Sequence, residues 1–249
     1  MSGEVFVAAQ SSSVRGDIEG NVKGHLRLIE KAAKHGAALI VFPELSLTGY
    51  EPDLAESHHL EPSDSRLEPF QEMADKHIMK ILVGAPYREE ENLHIAAFLY
   101  QPGEAPLVYT KHHLHDGEEK YFESGTHGLS FDVPGERVSV AICADIAHPE
   151  HAENAAANGA TLYAAGVLIT PGGYDADAAL LQGYAENHNM MVVMANFASP
   201  SGGFESSGKS AIWDQLGNLM AIGPPQGEAL VVVSRDLSGL HGKVISITR

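Results

Sequence analysis

The 249-residue chain predicts an α/β fold in which two sheets lie between helical layers. Two observations carry this expectation. Short apolar runs rich in β-branched residues alternate with stretches of helical period, and clusters of such strand runs flanked by helices occur in both halves. With no low-complexity linker or short-period repeat, one domain over residues 1–249 is expected.

Val5 to Ala9 reads as a first buried strand. Val22, Leu26, Ile29 and Ala33 then recur at helical spacing, His35 and Gly36 close that helix, and Ala37 to Phe42 forms the next strand. The acidic stretch 51–68, with two prolines, reads as a surface loop able to cover a site, followed by a helix ending near Lys80. Ile81 to Ala85, Leu93 to Tyr100 and Leu107 to Thr110 are three strands in succession, hence antiparallel neighbours. Leu129 to Val133 and Val138 to Ile142 flank the hairpin signal P-G-E-R. Pro149 opens a helix carrying Ala152, Ala155 and Ala156. Leu162 to Ala165, a helix from Asp175 to His188, and Met191 to Asn196 continue the alternation, and the last fifty residues read as strands joined by tight turns.

A net charge of −17 repels phosphate backbones and anionic lipid, which argues against nucleic acid and membrane partners. No apolar run approaches the roughly 20 residues of a membrane span. The opening M-S-G-E-V-F-V-A-A-Q lacks the basic start and apolar core of a signal peptide, so a cytoplasmic location is expected. The single cysteine excludes an intramolecular disulfide.

Three residues sit at the ends of expected strands: Glu44 in V-F-P-E-L-S-L-T-G-Y, Lys111 in L-V-Y-T-K, and Cys143 in S-V-A-I-C-A-D-I-A-H-P-E. Each alone has an ordinary reading: a loop carboxylate that caps a helix, a charge protecting a strand edge, a buried thiol acting as a small hydrophobe. Together they read differently. A thiol with a free pKa near ~8.5 needs a base or a cation beside it to react as thiolate, and a glutamate and a lysine supply both.

The order Glu, Lys, Cys, each at a strand end, resembles the nitrilase superfamily of carbon-nitrogen hydrolases. The resemblance covers nearly the whole chain and rests on six pieces in the family's order: V-F-P-E-L-S-L-T-G-Y, Y-T-K-H-H-L, E-E-K-Y-F-E-S-G, V-A-I-C-A-D-I-A-H-P-E, A-E-N-H-N-M-M-V-V-M-A-N and S-G-K-S-A-I-W-D-Q-L-G. It implies a four-layer α-β-β-α sandwich, commonly paired as a homodimer. It also implies Glu44 as general base, Lys111 as the cation facing the oxyanion, Cys143 as nucleophile and the backbone N–H of Ala144 as a second oxyanion donor. A second family glutamate falls on Glu118, with Glu119 its competitor. The expected substrate is a small linear amide or N-carbamoyl compound, with no metal or organic cofactor. Nitriles rank lower, because Ala144 and Asp145 follow the cysteine where nitrilases typically carry tryptophan and glutamate.

Departures and open positions remain. His148 stands where many members carry Phe or Trp, implying a more polar pocket wall. In V-L-I-T-P-G-G-Y, residues 167–174, Thr170 lies where the family places substrate contacts, though the glycines serve equally as a turn. Tyr50 and Asp53 follow Glu44 and line either the pocket or the surface. The chain ends soon after its final strand, so the spiral filaments of nitrilases are not expected. Fourteen histidines, notably H-H-L-H at 112–115 and H-x-x-H at 148–151, invite a metal reading. Alternation along a strand end disfavours it, and His113 reads as structural. The competing function is a catalytically silent family member that binds a small metabolite or acts as a partner module.

Overall fold

The computed structural model describes residues 4–126 and 128–247; the opening residues 1–3, on which the reading of the N-terminus partly rests, lie outside them. Thirteen strands among these residues form two mixed sheets. In the first, β1 (Glu4–Gln10), β2 (Leu39–Val41) and β3 (Lys80–Glu89) run parallel, β4 (Asn92–Gln101) and β5 (Glu104–Thr110) extend one side antiparallel, and β12 (Ala229–Asp236) and β13 (Gly239–Ser246) extend the other. In the second, β7 (Glu136–Ile142), β8 (Leu162–Gly166) and β9 (Met191–Ala195) are parallel, flanked by β6 (Ser130–Val133) and by β10 (Ala211–Trp213) with β11 (Leu219–Ile222).

The four layers follow from the period of two along each strand. Phe6 and Ala8 of β1 point into the core between the sheets, where they join Val138, Val140 and Ile142 of β7. Val5, Val7 and Ala9 point the other way, onto α1 (Ile18–Ala33) and α3 (Glu68–His77). On the second sheet Tyr163 and Ala165 face α4 (Pro149–Ala157) and α5 (Tyr174–His188). Strands buried on both faces read as unbroken apolar runs, which is why their positions are legible in sequence.

Local corrections have physical causes. The buried face of α1 is Ile18, Asn21, Val22, His25, Leu28, Ile29 and Ala32, while Leu26 and Ala33 lie at its margin. The polar His25 replaces the apolar residue a periodic reading expects. The helix expected to reach Lys80 ends at His77, because Ile78 adopts a left-handed conformation (φ 51°) and Lys80 already begins β3. The expected loop 51–68 contains a 3₁₀ turn, Pro52–Leu54, and α2 (Ala55–His58), with Pro52 at the first position of that turn. Pro149 opens α4 as expected. No helix among the described residues is long and apolar enough to cross a membrane.

Candidate active site

Parallel strands present their carboxyl ends on one side of a sheet, and the loops that leave them meet there. Glu44 follows β2, Lys111 follows β5, Cys143 follows β7, and Thr170 lies four residues beyond β8. Packing the sheets face to face brings the first three together.

Each is held by its local structure. The turn after β2 sits against two glycines: a Cβ on Gly84 would come within 2.5 Å of the Pro43 carbonyl oxygen, and one on Gly166 within 2.6 Å of the Phe42 carbonyl oxygen. Side chains there would push the turn off both sheets. Below it the Ser46 hydroxyl donates to His25 Nε2 (2.9 Å) and accepts from the Gly84 N–H (3.2 Å), while His25 Nδ1–H donates to the Asn21 carbonyl (2.7 Å). Burial lowers the pKa of His25 to about 4, so the ring is neutral and fits these roles.

Cys143 has φ 42°, and Leu45, next to Glu44, has φ 49°. Both lie in the left-handed region that side chains disfavour, and such strain persists only where the surroundings enforce it. At Cys143 the enforcing group is Asp145, fully buried, whose carboxylate accepts from Ile142 N–H (2.9 Å), Tyr109 Oη–H (2.7 Å), His113 N–H (2.9 Å) and His112 N–H (3.2 Å). One side chain therefore ties the turn of Cys143 to the strand end of Lys111.

Lys111 is wholly buried, a position no exposed strand-edge charge would take. Its ammonium donates to Glu44 Oε1 (2.7 Å) and to both oxygens of Glu118 (2.9 and 2.8 Å). Glu118 also accepts from Tyr50 Oη–H (2.7 Å) and the His115 N–H (2.7 Å), whereas Glu119 is exposed and accepts only from the Gly117 N–H among the described residues. Glu118, not Glu119, is thus the second carboxylate of the cluster.

Burial raises the Glu44 pKa to about 7; Lys111 pulls it down and Glu118 pushes it up. Burial also works against the charged form of Lys111, but attraction to Glu44, Cys143 and Glu118 outweighs it and holds the ammonium pKa above its ordinary value. The Cys143 thiol is pushed well up, first by burial and then by repulsion from Glu44. Among the described residues Glu44 Oε2 has no hydrogen-bond partner, and the Cys143 thiol donates to the Leu168 carbonyl (Sγ···O 3.7 Å). The arrangement is a neutral thiol beside a carboxylate with one free oxygen and a cation behind it, and it can transfer one proton and stabilise one new negative charge.

Cys143 opens into a cavity of about 80 Å³ lined by Tyr50, His115, Leu168, Thr170 and Phe204. Tyr50 and Thr170 are therefore at the pocket, and the edge of Tyr50 meets Phe204 with ring centroids 6.0 Å apart. Ala144 follows Cys143 in the 3₁₀ turn Cys143–Ala147. One expectation is corrected and one open position takes its surface reading. His148 is not a pocket wall; it stacks on His113 with centroids 3.7 Å apart, because two flat rings at this corner pack best face to face. Asp53 is half exposed and pairs with Arg15, since the 3₁₀ turn that carries it faces solvent.

The H-H-L-H run lies in a loop beyond β5 rather than on a strand end. His113, His148 and Glu150 place donor atoms within 4.8 Å of one another. As stacked, the two imidazoles direct their lone pairs in parallel planes, which do not converge on one ion.

Sequence reasoning missed the roles of Gly84, Gly166, His25, Asp145 and the pocket residues Leu168 and Phe204. Only Asp145 and Leu168 lay inside stretches already singled out.

Comparison with known proteins gives the family and the fold. The curated relatives include a glutamine-dependent NAD(+) synthetase of Aquifex aeolicus, 28% identical over 238 residues that cover 92% of this chain and 42% of the relative. They also include a 2-oxoglutaramate amidase of Bacillus subtilis, 29% identical over 223 residues covering 87% and 85%. The chain thus spans about two fifths of the length of the synthetase it matches. Among solved structures, a mutant of the amidase from Nesterenkonia sp. AN1 in complex with butyramide shares the fold, with a TM-score of 0.85 at 24% identity over 94% of this chain and 91% of that one. Residues 7–242 match the family described as Carbon-nitrogen hydrolase, and the chain belongs to that family, within the nitrilase superfamily.

Proposed function

We propose that the protein is a thiol-dependent amidohydrolase cleaving a small linear amide or N-carbamoyl compound through a cysteine thioester. The observation that carries this reading is the buried Glu44–Lys111–Glu118 cluster beside the one thiol at the floor of a pocket. Glu44 takes the thiol proton as Sγ attacks the carbonyl carbon. The carbonyl oxygen becomes an oxyanion facing the Lys111 ammonium and the Ala144 N–H, each well-placed donor contributing about 3–4 kcal/mol. Glu44 returns the proton to the departing nitrogen, and ammonia or an amine leaves. A water then attacks the thioester as Glu44 accepts its proton, and the thiol recovers a proton as the acid is released. Glu118, which holds two protons of the Lys111 ammonium, orients that cation rather than touching the reacting atoms.

Amides rank above nitriles here because of the residues after Cys143; the curated relatives include proteins named for either chemistry, among them a nitrilase of Pyrococcus abyssi. The silent-module alternative has against it the intact cluster, since well-packed apolar residues would serve a purely structural role as well as a buried ion-pair cluster. Pairing of two copies and a cytoplasmic location belong to the same proposal, and a solution mass of twice 26.6 kDa tests the first.

Ammonia release from a panel of ω-amides, carbamoyl amino acids, carbamoyl amines and short aliphatic amides, with Cys143→Ser as control, tests the activity. Turnover retained in the variant would remove the nucleophile from the reaction. Iodoacetamide alkylation across pH supplies a second readout: equal, slow labelling of the wild type and of Glu44→Ala would remove the base.

A further inference from the structure

Of the five histidines in H-H-L-H and H-x-x-H, His151 is the buried one, and both of its ring nitrogens have partners. Nε2 lies 2.9 Å from Tyr109 Oη and Nδ1 lies 2.8 Å from Tyr163 Oη. Tyr109 comes from β5 of the first sheet, Tyr163 from β8 of the second and His151 from α4, and both tyrosines are wholly buried. Three segments distant along the chain therefore meet in one line of hydrogen bonds, and that line ends on Asp145.

Its direction is fixed by this last member. A carboxylate only accepts, so the Tyr109 hydroxyl spends its proton on Asp145 Oδ2 (2.7 Å). His151 must then donate to the same hydroxyl from Nε2–H, which leaves Nδ1 bare to accept from Tyr163 Oη–H. Burial lowers the pKa of His151 and raises those of both tyrosines, so each group keeps the protonation state this order needs. Every donor points toward Asp145, and each bond polarises the next.

Beyond Asp145 lies the turn of Cys143. Each carboxylate oxygen takes two donors: the His112 and His113 N–H groups on Oδ1, Tyr109 Oη–H and the Ile142 N–H on Oδ2. Ile142 immediately precedes Cys143, whose strained φ of 42° persists only while its surroundings enforce it. Without the hydroxyl, Oδ2 keeps one donor and the carboxylate is free to turn about its Cβ–Cγ bond. The Ile142 N–H then loses its fixed acceptor, and the sulfur shifts relative to Glu44 and Lys111. A misplacement of about 1 Å at a reacting atom costs about a hundredfold in rate.

We propose that Tyr109 and His151 are positioning residues for the nucleophile: Tyr109 holds Asp145 in the orientation that sets the Cys143 turn, and His151 holds the Tyr109 hydroxyl in place. Neither lines the pocket at Cys143. This deepens the amidohydrolase reading and, for turnover, rests on it.

The test measures ammonia release, with the amide of the panel that the wild type cleaves fastest, and iodoacetamide alkylation of Cys143. The variants are Tyr109→Phe, His151→Leu, His151→Gln and the double variant Tyr109→Phe/His151→Leu, each with a thermal melt. Tyr109→Phe lowers kcat and the alkylation rate by about tenfold to a hundredfold, as for one hydrogen bond to a charged group, with KM within about threefold. His151→Leu lowers both rates by about threefold to tenfold, as for a neutral hydrogen bond. His151→Gln, whose carboxamide N–H stands in for Nε2–H, restores them to within about twofold. Because His151 acts only through the hydroxyl, the double variant is no slower than Tyr109→Phe alone. Nitrogen NMR of the wild-type ring finds the proton on Nε2 and none on Nδ1. If Tyr109→Phe does not fold, the two His151 variants and the NMR signature decide.

Groups that merely fill their bonding capacity in the core would lower Tm and leave kcat and alkylation unmoved, and that result in Tyr109→Phe or in His151→Leu overturns the proposal. So does a further loss of about threefold or more when His151→Leu is added to Tyr109→Phe, or a neutral ring protonated on Nδ1. A wild type that cleaves no amide would be a failure of the hydrolase reading instead, while the alkylation series still decides the role of Tyr109.

Discussion

Glu118→Gln separates a positioning carboxylate from an ordinary buried ion-pair partner. The carboxylate accepts four hydrogen bonds: two from Lys111, one from Tyr50 and one from the His115 N–H. A carboxamide offers one acceptor oxygen, so its amino group would face two donors in the same site. Two charge-assisted bonds at about 1.5–3 kcal/mol each are lost, and a net destabilisation of at least about 3 kcal/mol is expected. For a chain of this size that lowers Tm by about 6–12 °C. The chemical effect is separate. Lys111, left with Glu44 alone, no longer points at the oxyanion, and kcat falls by about 10²–10³ as for loss of one oxyanion donor. Glu118 also pushes the Glu44 pKa up, so removing its charge moves the acid limb of the rate profile below about 7. Ammonia release measured from pH 5 to 9, with thermal melts of the same samples, reads all three effects. The exposed neighbour gives the control, since Glu119→Gln should stay within about 0.5 kcal/mol of wild type. A Glu118→Gln enzyme within about threefold of wild type in kcat/KM, with an unmoved inflection, would refute the positioning role.

Other outcomes follow from the same geometry. On the proposed mechanism Glu44 must be ionised to accept the thiol proton, so wild-type kcat/KM should fall tenfold per unit below about pH 7; an inflection in the usual carboxylate range, about 4.3, would contradict the burial argument. Gly84→Ala forces a methyl against Pro43 and the turn of Glu44, costing about 1–3 kcal/mol and reducing turnover more than Tm alone explains; a variant with unchanged melting and rate would show that the turn is not pinned there. His25 gives a pH window for stability. The unfolded chain binds its proton near 6.5 and the folded chain only near 4, so stability is lost as pH falls through this range, by about 3 kcal/mol (2.5 units at 1.36 each). Denaturant titrations of wild type and His25→Gln at pH 7 and 4.5 check it, and parallel losses in both would assign the effect to other groups.

What could be read from sequence depended on whether a residue's role is local. The strands were legible because β1, β8 and β9 are apolar on both faces, and Pro149 announced α4 because a proline suits the first turn of a helix. Glu44, Lys111 and Cys143 stood out at strand ends, but the order of six pieces was needed to join them and to add Glu118, since no local rule distinguishes a buried lysine from one on a strand edge. The roles of Gly84, Gly166 and Asp145 come from contacts with segments distant along the chain, and those appear only when the sheets are packed. The same is true of β12, whose apolar run resembles that of β9. Only the fold returns β12 to the first sheet, beside β1, while β10 and β11 complete the second. His148 failed for the complementary reason. Its position in the motif was right, but the imidazole of His113 across the corner gave it a closer partner than the pocket.

The charge count of the site explains why a neutral thiol is the resting state. Lys111 balances one of two carboxylates, so the cluster already carries one excess negative charge when Glu44 and Glu118 are both ionised. Ionising Cys143 beforehand would place a second around a single cation in a desolvated space, and the upward shifts of both the thiol and Glu44 express that penalty. If the proton moves from sulfur to Glu44 as the carbon–sulfur bond forms, the count is conserved: one carboxylate is neutralised as one oxyanion appears. The new charge then lies on an oxygen facing Lys111, whose pull on Glu44 has just become unnecessary. On this argument the rate depends on the distance over which Lys111 exchanges one oxygen for the other. Glu118, bonded to it through both oxygens, serves to keep that distance short.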